Sequence, residues 1–136
     1  MRLLSVAAGA AMLASCTTAP DVPSRTAQGQ REYEQLLAGK VAQPPVSCMP
    51  AYRSDDMRVI DDSTIAFKNG SRQTYVTHMM GPCTGLANGH YALVERKFGS
   101  SQTCRGDIAQ VVDLLNHMTV GSCVYGDFIP YVRPGA

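Results

Sequence analysis

Five cysteines, three histidines and two pairs of adjacent aspartates are the residues of this chain that could do chemistry. Cys48, Cys83, Cys104 and Cys123 could ligate a metal, act as nucleophiles or pair with one another. Zinc sites favour close pairs such as C-x-x-C, and the gaps here are 35, 21 and 19 positions. An even number at such spacing reads as two disulfides in an oxidising compartment. His78-Met79-Met80, beside Cys83, offers soft ligands of the kind copper(I) takes. Neighbours on a strand point to opposite faces, however, so His78 and Met79 cannot easily share one ion. His117 lies four residues after Asp113 with Ser122 nearby, the outline of a hydrolase triad without a G-x-S-x-G elbow. His90, in "NGHY", reads as the start of a strand. The pairs Asp55-Asp56 and Asp61-Asp62 could serve a glycosidase or a calcium site. They flank a short apolar strand where turns are expected, and Asp favours turns through side-chain to backbone hydrogen bonds. Arg105-Gly106-Asp107 spells an integrin-type tripeptide, but its Gly and Asp are read as the turn after Cys104.

Cys16 stands apart from the other four. The chain opens "MRLLSVAAGAAMLASC", with Arg2 as a positive start and an uncharged apolar run from Leu3 to Leu13. That is the layout of a secretory signal peptide. The run is short of the ~20 residues that a membrane-spanning helix needs. Leu13-Ala14-Ser15-Cys16 resembles the bacterial lipobox. The resemblance implies cleavage after Ser15 and acylation of the Cys16 thiol and the new amino terminus. Each buried acyl CH₂ contributes ~0.8 kcal/mol, and two or more chains anchor stably. Thr17, not Asp, follows the cysteine, which favours the outer membrane. Loss of Arg2 leaves 11 basic against 11 acidic residues, a formal charge of zero. With no basic block there is no electrostatic footprint for nucleic acid.

The elements that must position these residues follow from pattern. Residues 1–15 form the signal peptide, 16–45 a lipid-anchored tether with a short helix, and 46–136 a small disulfide-tied β domain. "TTAPDVPSRT" reads as tether. Tyr33, Leu36 and Leu37 share a stripe that predicts a helix over 28–38, with Thr26 as cap and Gly39 as stop. Glu32 and Glu34 among the stripe residues argue against membrane binding by this helix. "MRVI", "TIAFK" and "QTYVTHM" read as strands, and Asn69-Gly70 marks a hairpin. A two-residue turn would set Ile65 opposite Thr74 and a four-residue loop opposite Val76. "HYALVERKF" is a strand with Tyr91, Leu93 and Glu95 on one face. "DIAQVVDLL" is read as a strand, although Ile108, Val111 and Val112 also fit a helix. "VYGDFIPYV" is a last strand, which Pro130 confines to an edge.

The cysteine framework, once placed on these elements, resembles a family of small proteobacterial lipoproteins classed as a domain of unknown function. The matching residues are Cys48, "VIDDSTIAF", Tyr75, "GPCTGL" with Cys83, "CRGD" with Cys104, and "CVYGDFIPY" with Cys123, Gly126, Phe128 and Pro130, together spanning residues 46–131. The resemblance implies a fold class and a location in the cell envelope, and no catalytic residue. The expected fold is mainly β, a small curled antiparallel sheet or partly open barrel with one short N-terminal helix and two disulfides. Of the three possible pairings, an up-and-down strand order favours Cys83–Cys104 and Cys48–Cys123. The expected function is a non-enzymatic binding or accessory module facing the periplasm, held to the bilayer by acylated Cys16 and acting on an envelope protein or ligand. It calls for no cofactor, metal or nucleic acid. The alternative is a periplasmic metal-binding protein or hydrolase using His78, His90 or His117.

Overall fold

The computed structural model describes residues 25–135, so the expected signal peptide, the lipidation candidate Cys16 and residues 17–24 of the expected tether lie outside it. Helix α1 (Ala27–Leu37) starts where the Thr26 hydroxyl accepts a hydrogen bond from the Gly29 N–H at 3.0 Å. That bond satisfies one of the free donors of the first turn. Gly29 lies where the helix crosses the sheet, and a β-carbon there would come within 2.3 Å of the Ile60 carbonyl oxygen. The helix can therefore approach the strand only with glycine at this position.

Ten strands follow: β1 (Val41–Ala42), β2 (Cys48–Met49), β3 (Met57–Asp61), β4 (Thr64–Asn69), β5 (Gln73–His78), β6 (Tyr91–Glu95), β7 (Thr103–Cys104), β8 (Ile108–Asp113), β9 (Thr119–Val124) and β10 (Phe128–Val132). They form a five-stranded sheet in the order β1-β10-β5-β4-β3, a three-stranded sheet β6-β8-β9 and the short pair β2-β7. All pairings are antiparallel, and the sheets do not close into a barrel. Ile60, Ala66 and Val76 face the helix, against Tyr33, Leu36 and Leu37. Ile65, Phe67 and Phe128 face the other way and meet Ala109, Val111 and Cys123 of the second sheet. Strand β4 is thus buried on both faces, which is why "TIAF" is a continuous apolar run and not an alternating one.

Several expectations need correction. The β4–β5 hairpin closes at Asn69↔Gln73 around a three-residue loop that begins with Gly70 at φ 68°, so Ile65 lies opposite Thr77. Neither proposed register is correct. Strand β10 is internal, between β1 and β5. Pro130 is accommodated because its carbonyl accepts from the Gln43 N–H at 2.7 Å. In an antiparallel strand a residue's nitrogen and carbonyl face the same side, so the nitrogen without a hydrogen faces Gln43, just past the end of short β1, and not the long ladder with β5. Strand β9 was not anticipated. Its exposed half, Thr119 to Ser122, has little of the alternation that marks a strand.

The disulfides are Cys48–Cys104 and Cys83–Cys123, with Cα separations of 4.0 and 5.4 Å. The up-and-down order behind the expected pairing fails after β5. There the chain leaves the first sheet through "GPC", and β6 pairs with β8 in the second. Cys104 consequently faces Cys48 across the β2–β7 ladder, and Cys83 meets Cys123 on β9 in the core. One bridge ties two connecting segments together and the other ties the sheets.

Candidate functional site

None of the three histidines is drawn into a site. His78 is exposed at the end of β5, its Nδ1 3.3 Å from the Thr64 hydroxyl, while the adjacent Met79 points into the core. The opposite orientation of strand neighbours thus separates the candidate copper ligands. His90 and His117 are both exposed. The Asp113 carboxylate serves the Leu115 N–H and the Asn116 amide, and Ser122 lies opposite Gln110 on β9. Among the described residues no group of three His, Cys, Asp or Glu side chains could hold a metal ion. Of the paired aspartates, Asp61 caps its own turn and Asp62 ties that turn to the loop after Cys83, while Asp55 pairs with Arg53 at 3.1 Å in the 3-10 turn before β3. Asp61 accepts from the Ser63 N–H and from Arg25, and Asp62 accepts from the N–H groups of Gly85 and Ala87 at 3.0 and 2.9 Å. Arg105, of the integrin-type tripeptide, pairs with Asp127 at 3.1 Å.

The polar cluster of greatest density was not singled out from sequence. It is centred on Glu95, whose side chain is 8% exposed. One carboxylate oxygen accepts from the Tyr52 hydroxyl at 2.8 Å and from the Tyr125 hydroxyl. The other accepts from the Thr103 hydroxyl at 3.2 Å and pairs with the Lys97 ammonium at 2.5 Å. Burial alone would raise this carboxyl, but the bonds from Lys97, Tyr125 and Tyr52 outweigh it and hold the group below the usual carboxylate range. Burial, reinforced by the Glu95 charge, pushes the Tyr52 and Tyr125 hydroxyls up. A carboxylate with about four acceptor positions, all occupied, is a strut and a poor general base.

The strut fixes Tyr52, which separates two surface cavities. Its ring packs 4.5 Å from that of Phe67, centroid to centroid. On one side is a cleft of about 220 Å³ with Met49, Phe67 and Tyr75 in its floor and Arg53, Asp56 and Lys68 on its rim. On the other is a shallower hollow of about 520 Å³ bordered by Glu95, Lys97, Ser100 and Ser101. An apolar aromatic floor with a few charged groups at its mouth is the usual character of a small binding site.

Fold and site together define a mainly β protein, tied by two disulfides, with a rigid aromatic cleft. The chain belongs to the family of unknown function DUF6491, which matches residues 1–122. No curated protein and no solved structure matches it. The family match takes in the N-terminal segment and ends one residue before Cys123, so the "CVYGDFIPY" motif lies beyond it.

Proposed function

We propose that this protein is a bacterial envelope lipoprotein, acylated at Cys16 and held at the outer membrane facing the periplasm, that acts as a non-enzymatic binding or accessory module. The Tyr52 cleft is its binding site. The reading rests on one observation above the rest: the most highly connected buried polar network of the described residues holds an aromatic side chain still at the wall of an open cleft. Four contacts to Glu95 immobilise Tyr52, Tyr125, Thr103 and Lys97, and a binding surface gains affinity when its anchors are ordered beforehand. The size and lining of the cleft suit one apolar or aromatic group, such as a side chain presented by an envelope partner. Arg53, Asp56 and Lys68 at the rim would orient polar atoms beside it. "LASC" after the apolar run supports the anchor, and two disulfides agree with an oxidising compartment.

The test is site-specific photo-crosslinking in the native cell. A photoreactive side chain in place of exposed Asn69, at the cleft mouth, should give a discrete adduct that Tyr52→Ala abolishes. The same probe at Phe98 should not give that adduct. An Asn69 adduct that persists in Tyr52→Ala protein with an intact thermal transition would reject the cleft as the site.

A further inference from the structure

The turn between β8 and β9 exposes three large apolar side chains within five residues. Leu114, Leu115 and Met118 are 50%, 81% and 63% exposed. The loop that carries them is held from within. The Asp113 carboxylate accepts from the Leu115 N–H at 2.8 Å and from the Asn116 amide at 3.1 Å, and the Asn116 side-chain oxygen accepts from the Met118 N–H at 2.9 Å. The Asp113 carbonyl accepts from the His117 N–H at 2.8 Å, and the His90 carbonyl from the Leu114 N–H at 3.0 Å. His117 completes the turn at φ 60°. Most of the loop's backbone donors are thus satisfied while its apolar side chains stand in solvent. Internal satisfaction of the backbone is the condition for a segment to enter an apolar medium at low cost.

The position of the loop suggests what covers it. Cys16 precedes the first described residue, Arg25, by nine positions, a reach of at most about 30 Å. Thr26 shares a surface cavity with Pro82, Ala87 and Asn88. Two residues after Asn88 is His90, whose carbonyl holds Leu114. The start of the helix and the loop therefore lie at one end of the molecule, the end where Tyr91 of β6 pairs with Asp113 of β8. The loop has no Lys or Arg, and its flanking acid is engaged in the turn, so attraction to a surface there would be apolar.

We infer that the Leu114–Met118 loop docks on the lipid bilayer that carries the anchor, placing Leu115 and its apolar neighbours at the headgroup–acyl boundary. The inference rests on the proposed acylation of Cys16.

The chain contains no tryptophan, so Leu115→Trp gives a single reporter at the loop tip and Phe98→Trp one beyond the opposite end of β6. Each full-length protein, produced with its processing machinery, is reconstituted in phosphatidylethanolamine–phosphatidylglycerol vesicles and floated. Emission is then compared with and without dibrominated acyl chains. Leu115→Trp protein should float, emit to the blue of its value in detergent-free buffer and lose intensity to bromine. Met118→Trp should do the same, and Phe98→Trp should do neither. Flotation without quenching at Leu115→Trp and Met118→Trp, or equal quenching at Phe98→Trp, overturns the docking and leaves the anchor standing. Failure to float overturns both.

Discussion

Replacing Glu95 with glutamine keeps the shape of the side chain and removes its charge and half of its acceptor capacity. In the native protein one carboxylate oxygen receives two tyrosine hydroxyls and the other receives Thr103 and Lys97. In Glu95→Gln one of these positions becomes an amide nitrogen, which meets two donors with donors of its own. Two charge-assisted bonds at about 1.5–3 kcal/mol each are lost or inverted, and the other two weaken to neutral ones. Lys97, 31% exposed, regains part of this from water and from Asp107 at 3.6 Å. The net expectation is about 3 kcal/mol, a fall in melting temperature of roughly 10–15 °C for a domain of this size. The sign of the pH dependence follows from the depressed carboxyl. A carboxyl with a folded value below its unfolded value of about 4.3 stabilises the fold above that pH, and this contribution is lost as pH falls through the folded value. Urea unfolding of wild type and Glu95→Gln should therefore show the full difference at pH 7 and a smaller one below about pH 4. A difference under about 1 kcal/mol at pH 7, or one that does not shrink in acid, would refute the account of Glu95 as a saturated strut.

Non-reducing peptide mapping should recover the links Cys48–Cys104 and Cys83–Cys123. A limiting thiol reductant should open the partly exposed Cys48–Cys104 bridge first, because exchange needs access and Cys83 and Cys123 are only 1% and 3% exposed. Removing the Cys83–Cys123 bridge, with a sequence separation of 40, should cost roughly 4 kcal/mol by chain entropy. Gly126→Ala puts a β-carbon within 2.2 Å of the His78 carbonyl oxygen, a main-chain atom that cannot swing aside, and should lower stability by about 1–3 kcal/mol in thermal melts. An unchanged melting temperature would mean that the β9–β10 connection does not pass so close to β5.

The parts of the fold fixed by local rules were legible in the sequence. Thr26 caps the helix, Asn69-Gly70 starts the hairpin loop, and the paired valines of β8 lie in a strand as expected. What could not be read depends on contacts far apart in sequence. Pro130 implies an edge only if the whole strand is paired on both sides, and short β1 leaves room for it. The disulfide pairing depends on where the chain changes sheets, which "GPC" does not announce. β9 escaped notice because its outer residues are exposed and a glycine interrupts it. The site left one trace, since Glu95 falls on the same face of β6 as Tyr91 and Leu93, and a charge on an apolar face needs partners. Those partners, Tyr52 and Tyr125, are 43 and 30 residues away in sequence, beyond the reach of any pattern.

The proposed role requires that the chain be attached to the envelope by Cys16. Metabolic labelling of the native cell with a clickable fatty acid, followed by purification of the protein, tests it most directly. Wild-type protein should carry the label and begin at Cys16, and Cys16→Ala should carry none and keep its first fifteen residues. Wild-type protein without label, or a Cys16→Ala variant that is still labelled, would contradict it.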